Sequence, residues 1–231
     1  MRWKLRQAEE AAVFQLSAEA GLSPLIARML VARGVRNAEE ARAYLSPQLS
    51  HLHSPFLMSG MKAAVERLEA AIAGKEKILI YGDYDVDGTV AIVLLKTAIE
   101  LLGGAADYHV PHRIRDGYGM KDEVIAGAAQ EGVRLIVSVD TGIRAFAAAE
   151  AAQRAGVDLI VTDHHLPEAA ALPRALVVLN PNQPGCEYPC KALCGAGVAF
   201  KVAQALLEKR GRERVLPSRS EERRVGKECR L

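Results

Sequence analysis

The spacing of apolar residues changes near residue 76, and this change divides the chain into two kinds of structure. Before it, apolar side chains recur every three or four positions, as in LIARMLVARGV (25–35) and MKAAVERLEAAIAG (61–74). This period is typical of helices that bury one face. The pattern therefore predicts a small helical segment over residues 1–75.

From residue 76 onwards, short apolar runs alternate with longer stretches of helical period. The predicted strands are KILIY (77–81), ADYHV (106–110), RLIVSV (134–139), DLIV (158–161) and ALVVLN (175–180). The predicted helices cover residues 89–103, 121–132, 144–156 and 197–209. Strands that alternate with helices favour an α/β fold, because right-handed crossovers then cover both faces of a parallel sheet. We expect a parallel sheet of about five strands with helices on both faces, preceded by the small helical segment.

The end of the chain, RSEERRVGKECRL (219–231), has no apolar periodicity. It resembles the translation of a common sequencing-adapter oligonucleotide, and we interpret it as a non-native tail. The alternative is a disordered natural tail. On the first interpretation the α/β domain covers residues 76–218, and the natural protein continues beyond this truncated piece.

Composition places few limits on the function. The chain has 30 basic and 28 acidic residues, and 25 of each remain without the tail's five basic and three acidic residues. A near-neutral chain gives no sign of a nucleic-acid groove. Because the sequence has neither a run of 18 apolar residues nor a secretory leader, we expect a cytoplasmic protein without membrane contact.

Three cysteines outside the tail are spaced C-x3-C-x3-C, at positions 186, 190 and 194. Structural zinc sites usually begin with a tighter C-x2-C pair and need a fourth ligand. We therefore favour reduced thiols in a loop, with structural zinc as the alternative.

Carboxylates and imidazoles follow three of the predicted strands, at the point where each strand ends. In chain order they are Asp83, Asp85 and Asp87, then Asp140, then Asp163, His164 and His165. The carboxyl ends of parallel strands share one edge of a sheet, and ligands of such folds bind at that edge. We therefore expect these side chains to meet at one place.

Such a cluster needs compensating positive charge, because carboxylates a few ångströms apart raise one another's pKa strongly. Oxygen ligands with one or two imidazoles suit Mn2+ or Mg2+. The cluster holds more ligands than one ion needs, which indicates two ions that share a bridging aspartate. Paired ions of this kind are a common apparatus for hydrolysing phosphate esters.

Two other interpretations of DYDVDG (83–88) are weaker. The string matches a calcium loop at its first, third, fifth and sixth positions, but the twelfth position is Leu94 instead of glutamate, and a strand precedes it. The aspartates could also be turn and cap residues, which would explain Asp87–Gly88 at a helix start. That interpretation does not explain why the same chemistry recurs at three strand ends.

Four motifs together resemble a known family. YGDYDVDGT (81–89), SVDTG (138–142), VTDHH (161–165) and LCGAGVAFKVAQALL (193–207) are similar to the successive motifs of the DHH phosphoesterase superfamily and, within it, of the RecJ family of single-strand-specific exonucleases. The resemblance implies an enzyme that removes nucleotides from the 5′ end of single-stranded DNA in recombination and repair. It also implies two Mn2+ or Mg2+ ions as cofactors.

The resemblance implies a role for each motif residue. The implied metal ligands are Asp85, Asp87, Asp140 as the bridge, and His164. The other implied catalytic residues are Asp83 as a supporting acid, Asp163 as the carboxylate that orients a histidine, and His165 close to the scissile phosphate. Arg113 is the candidate substrate contact, for a phosphate, and the alternative is an ordinary surface arginine.

The chain departs from the family's pattern in two places. Some superfamily members have histidine where Tyr81 stands, and the family has a further metal-binding aspartate downstream of the GAGVAFK helix, whereas no aspartate follows Asp163. We therefore expect weak activity or none. We also expect a monomer, and the repair partners stay open. The alternatives are a related phosphodiesterase for oligonucleotides or cyclic dinucleotides, and a non-catalytic binding protein with this fold.

Overall fold

The computed structural model describes residues 7–117, 119–168 and 171–211. The chain forms two compact units, Met1–His53 and Ser54–Leu231. The residues from 212 onwards, which include the predicted tail, lie outside the described part.

The first unit is helical, as expected. Its helices are α1 (Glu10–Ala20), α2 (Pro24–Val31) and α3 (Ala38–Leu45), and a 3-10 turn, Leu49–His51, follows them. Ser23 and Asn37 cap α2 and α3, because each side-chain oxygen accepts a backbone N–H of the first turn. Val13 and Leu16 of α1 pack with residues of the other two helices in a small core of their own.

The second unit contains the predicted α/β fold. Its helices are α4 (Met61–Ala73), α5 (Val86–Leu101), α6 (Asp122–Gln130), α7 (Phe146–Ala155) and α8 (Gly195–Lys209), and a 3-10 turn, Pro55–Leu57, precedes them. Its strands are β1 (Lys77–Gly82), β2 (Ala106–His109), β3 (Val133–Val139), β4 (Asp158–Thr162) and β5 (Val177–Leu179). The five strands form one parallel sheet in the order β2-β1-β3-β4-β5. This confirms the fold class predicted from the alternating pattern.

Helices cover both faces of the sheet, and alternate strand residues divide between the faces. Ile78 and Ile80 of β1 lie in the larger core with α4, α5 and α8, whereas Leu79 and Tyr81 lie in a second core with α6 and α7. Successive side chains of a strand point to opposite faces of the sheet. Because both faces are buried here, nearly every residue of the strand is apolar.

The order of the strands reverses within the sheet. The chain moves from β1 outwards to β2, and later from β3 outwards in the other direction to β4. Right-handed crossovers in opposite directions place α5 and α7 on opposite faces. The order therefore reverses between β1 and β3, and ligands of open α/β sheets bind outside the carboxyl ends of the strands at such a reversal.

Several boundaries differ from the sequence-based predictions, and three of them concern the site or the division into units. Helix α5 begins at Val86 instead of 89, because Asp85 is its N-cap and accepts the N–H of Gly88 at 2.9 Å. Helix α8 begins at Gly195 instead of 197. The second unit begins at Ser54 instead of at residue 76, where the apolar pattern changes. The reason is that α4 packs in the same core as the sheet.

Within the described ranges, no helix has the length and apolar character that crossing a membrane requires.

One lysine is buried in the larger core of the fold. Lys201 of α8 is 2% exposed, and its Nζ donates to Gln204 Oε1 at 2.8 Å. Burial lowers the pKa of Lys201 from its ordinary value of 10.5 to about 8. Between these two values the unfolded chain binds more protons than the folded chain, so the free energy of unfolding increases with pH there.

We therefore expect the stability of the protein to rise by on the order of 2 kcal/mol between about pH 8 and pH 10 from this group alone. Lys201→Met should be more stable than wild type at neutral pH and should lack that rise. Urea denaturation of both proteins across this pH range measures the difference. An equal rise in the variant would show that Lys201 is not its source.

Candidate functional site

The residues of the predicted cluster do meet at one edge of the sheet. The strands β1, β3 and β4 are direct neighbours, and each is followed at its carboxyl end by one of the motifs. Asp83, Asp85 and Asp87 follow β1, and Asp140 follows β3. The segment 163–165 follows β4, so all three motifs lie at the carboxyl edge of the sheet, beside the point where the strand order reverses.

Two groups of side chains could each hold a metal ion. The first group is Asp83, Asp85 and Asp140, and the second is Asp140, His164 and His165. Within each group the candidate ligand atoms lie within 4.8 Å of one another. Because Asp140 belongs to both groups, it is positioned to bridge two ions.

Asp140 occupies an unfavourable position in the absence of a cation. It is 1% exposed and its backbone φ is 59°, in the left-handed region that residues other than glycine rarely adopt. Its Oδ1 is the one buried side-chain oxygen or nitrogen of the described residues that has no hydrogen-bond partner. Burial raises the pKa of Asp140 to about 6. A site that keeps a buried carboxylate oxygen without a donor fits a bound cation.

His164 lies between two of the aspartates. Its Nε2 is 3.2 Å from Asp140 Oδ1, in a contact that is not aligned as a hydrogen bond, and 3.7 Å from Asp87 Oδ2. The adjacent Asp140 carboxylate raises the pKa of His164. The imidazole therefore faces the oxygens with which it would share an ion.

Asp163 holds His165 in a fixed orientation. Asp163 is 1% exposed, and its Oδ1 lies 2.7 Å from His165 Nδ1 and accepts the backbone N–H of both histidines. Its Oδ2 accepts the N–H of Ile143 at 2.9 Å. Burial pushes the pKa of Asp163 upwards, but these hydrogen bonds outweigh it and keep the pKa below the ordinary value. The same pairing raises the pKa of His165.

Asp83 and Asp85 differ in their surroundings. Asp83 is buried, its Oδ1 accepts the N–H of Tyr84 at 2.7 Å, and burial raises its pKa. Asp85 is exposed and caps α5 with one oxygen. Each carboxylate has further lone pairs, so both can still bind a cation.

Asp87 faces the start of α8. Its Oδ2 accepts the N–H of Gly195 and its Oδ1 that of Ala196, both at 2.7 Å. The positive end of the helix dipole stabilises the carboxylate charge there. Asp87 is in neither group of candidate ligands, although Oδ2 lies next to His164.

The start of α8 also contacts Asp140. A methyl group on Gly195 would overlap the carboxylate of Asp140. A residue without a side chain is therefore required where the helix passes Asp140. The first turn of α8 thus supports Asp87 and confines Asp140.

A loop that follows β2 adds a basic side chain. The guanidinium of Arg113 lies 5.5 Å from the ring centroid of Tyr84, which stands inside the aspartate motif. Asp116 closes this loop by accepting the N–H of His112 at 2.8 Å. The phenol of Tyr81 anchors its far end, since Tyr81 Oη accepts the N–H of Lys121.

A family profile matches the part of the chain that contains the site. Residues 77–222 match the profile described as the DHH family, N-terminal domain. The chain belongs to the DHH family. The name describes the segment 163–165, whose backbone and side chains form one side of the site.

Among curated DHH proteins, the chain is similar to the single-stranded-DNA-specific exonuclease RecJ of several bacteria. It is 41% identical to RecJ of Bacillus subtilis strain 168 over 207 residues, which are 90% of this chain and 26% of that protein. It is 41% identical to RecJ of Escherichia coli K12 over 204 residues, which are 88% of this chain and 34% of that protein. The chain therefore spans about a quarter to a third of the length of these relatives.

Solved structures of DHH proteins include similar folds. RecJ of Thermus thermophilus in complex with Mn2+ superimposes with a TM-score of 0.71 at 29% identity, over 90% of this chain and 28% of that one. An exonuclease RecJ bound to manganese gives a TM-score of 0.62 at 33% identity, over 69% of this chain and 40% of that one.

The DHH site has supporting residues that the sequence patterns did not reveal. Gly195 and Ala196 contribute backbone groups to Asp87, and Asn180 and Asn182 donate to backbone carbonyls of the DHH segment. The string LNPNQPG (179–185) at the end of β5 indicates a turn in the sequence. Its turn-forming residues do not indicate which carbonyls the two asparagine amides contact. The roles of the individual motif residues stay predictions.

Proposed function

We propose that this chain carries the metal-dependent catalytic centre of a hydrolase that removes nucleotides from the 5′ end of single-stranded DNA. The observation that carries the proposal is the pair of ligand groups that share the buried Asp140. The similarity to RecJ proteins, named as single-stranded-DNA-specific exonucleases, supports the substrate. Because the chain spans only part of their length, the activity of the whole protein belongs to this proposal.

The proposed cofactors are two Mn2+ or Mg2+ ions. Asp85 would contribute to one ion, His164 to the other, and Asp140 to both, with Asp87 beside His164. The oxygen-rich donor set and the partnerless oxygen of Asp140 support this choice. Divalent ions at such a site supply Lewis-acid chemistry towards phosphate and water.

The protein's own groups would position the substrate and handle protons. Asp163 holds Nδ1 of His165, so the opposite edge of that ring could donate a proton to a phosphate oxygen or to the leaving oxygen. The raised pKa of His165 is consistent with that role. Asp83, the buried first aspartate of the motif, would support the ligand Asp85 and orient water.

Arg113 is the proposed contact for a substrate phosphate. It is exposed, and its stacking beside Tyr84 places its charge next to the aspartate motif. We expect Arg113→Ala to raise the KM for single-stranded DNA about tenfold, with a smaller change in kcat, because ground-state binding is lost. Steady-state kinetics measure both, and Arg115→Ala, in the same loop, is the control. A fall in kcat at constant KM would contradict a binding role.

The test of the proposed function is a single-turnover assay, with excess protein and a labelled single-stranded oligodeoxynucleotide. We expect slow, Mn2+-dependent release of mononucleotides from the 5′ end and no release from duplex DNA. Faster hydrolysis of dinucleotides or cyclic dinucleotides would favour the related phosphodiesterase. Absence of Mn2+ binding in calorimetry would favour a binding protein.

We further propose a cytoplasmic monomer. Light scattering after size exclusion measures the molar mass and so checks the monomer.

A further inference from the structure

Three consecutive backbone carbonyls, those of both histidines of the DHH segment and of Leu166 after it, each accept a side-chain hydrogen bond. In the segment 164–166, the first carbonyl accepts from Asn182 Nδ2 at 2.8 Å and the second from Asn180 Nδ2 at 2.8 Å. The third accepts from Arg144 Nε at 3.2 Å and from its Nη2 at 3.0 Å. We call Arg144, Asn180 and Asn182 the carbonyl clamp.

The clamp complements the hydrogen bonds on the other side of the same segment. Asp163 already accepts the N–H groups of both histidines. The peptide groups that carry the two imidazoles are thus held through N–H and through C=O. Since a histidine ring is joined to its backbone by only two rotatable bonds, a fixed peptide restricts where the ring nitrogens can lie.

The two asparagines act as one unit. Asn180, which directly follows β5, is fully buried, and its Oδ1 accepts the backbone N–H of Asn182 at 2.7 Å. The side-chain amide of Asn180 therefore holds the backbone from which the side chain of Asn182 extends. A buried amide that is hydrogen-bonded at both ends is costly to disturb, because removal of one partner leaves the other unsatisfied.

We propose that the carbonyl clamp positions the two imidazoles of the DHH segment for metal and phosphate. The metal and the phosphate in this inference rest on the proposed function. The hydrogen bonds of the clamp are observed independently of any reaction. Groups that orient ligands from outside the coordination sphere change metal affinity by roughly 10- to 100-fold when they are lost. The clamp residues are positioning residues, since each of them acts through a backbone carbonyl.

The chain offers a matched control in the same loop. Gln183 is a buried amide next to Asn182, and its Nε2 donates to the carbonyls of Val178 at 3.0 Å and of Ser59 at 3.4 Å instead of to the DHH segment. Asn182→Ala and Gln183→Ala therefore remove the same kind of hydrogen bond, but only the first removes it from a histidine carbonyl. Arg144→Ala tests the clamp at an exposed position, where folding is not at risk.

The experiment has two readouts on the full chain. In metal-free protein with 15N-labelled histidine, we expect faster ring motion of the two DHH imidazoles in Asn182→Ala than in wild type, and no change in Gln183→Ala. By calorimetry, we expect Asn182→Ala to bind Mn2+ about tenfold more weakly, with a smaller loss in Arg144→Ala. Thermal melting of all variants separates these effects from general destabilisation.

The outcomes separate the inference from the proposed function. The clamp would be overturned if the two imidazoles moved no faster in Asn182→Ala and Arg144→Ala than in wild type. It would also be overturned if Gln183→Ala changed ring motion and Mn2+ affinity as much as Asn182→Ala does. Mn2+ binding and clamp effects without hydrolysis of single-stranded DNA would overturn the proposed function alone. If wild type binds no Mn2+, the ring motions still decide whether the clamp exists.

Discussion

Replacement of Asp140 by asparagine is expected to remove measurable Mn2+ binding and to lower the single-turnover rate of DNA hydrolysis on the order of a thousandfold. Asp140 is the one residue common to both candidate ligand groups, so its loss affects both ions. Charge stabilisation by metal ions amounts to several kcal/mol, and each step of about 1.4 kcal/mol is a factor of ten in rate. Calorimetry with Mn2+ measures the first effect, and rapid-quench hydrolysis measures the second.

The metal-free Asp140→Asn variant should be at least as stable as wild type. The substitution puts a neutral isostere in place of a buried carboxylate whose Oδ1 has no hydrogen-bond partner, and asparagine tolerates the left-handed backbone at this position. A loss of binding without a loss of stability could not be attributed to unfolding.

Asp107→Asn provides the control for Asp140→Asn. Asp107 is an exposed acid on β2, so the same chemical change there should leave both Mn2+ affinity and hydrolysis unchanged. If Asp140→Asn kept the affinity of wild type, Asp140 would not be a bridge, and the two-ion proposal would have to be abandoned.

The second large effect is expected from Gly195→Ala. A methyl group at this position would overlap the Asp140 carboxylate, while the same helix turn holds Asp87 through two N–H groups. Either the Asp140 carboxylate must rotate away from its position in both candidate ligand groups, or α8 must withdraw and leave Asp87 without its donors. We expect Mn2+ affinity to fall about 100-fold, since either response disturbs groups that surround the ligands. Calorimetry and thermal melting measure the outcome.

Gly127→Ala is the matched control for Gly195→Ala. Gly127 lies inside α6, and a methyl group there would meet no atom within 4 Å. This substitution should stabilise the protein by about 1 kcal/mol, because alanine is the better helix former, without changing Mn2+ affinity. Normal affinity in Gly195→Ala would mean that the contact with Asp140 can relax harmlessly.

Much of the fold could be predicted because its signals are local. A strand buried on both faces is a short apolar run, and an amphipathic helix repeats its apolar residues every three or four positions, so element types follow from neighbouring residues. The parallel sheet follows from their alternation, and so does the expectation that residues after β1, β3 and β4 lie together. Helix starts were less certain: Asp87–Gly88 is a plausible cap, but Asp85 is the residue that caps α5.

The sequence by itself determined which strands end in acids and imidazoles, and therefore which edge of the sheet carries the chemistry. The tertiary structure alone decided how those groups are held. Asp87 contacts N–H groups that lie 108 and 109 positions away, and the carbonyls of the DHH segment contact amides 15 and 18 positions away. Hydrogen bonds of this kind depend on where α8 and the loop after β5 pack against the sheet. That packing results from burial of the whole core, which no short stretch of sequence encodes.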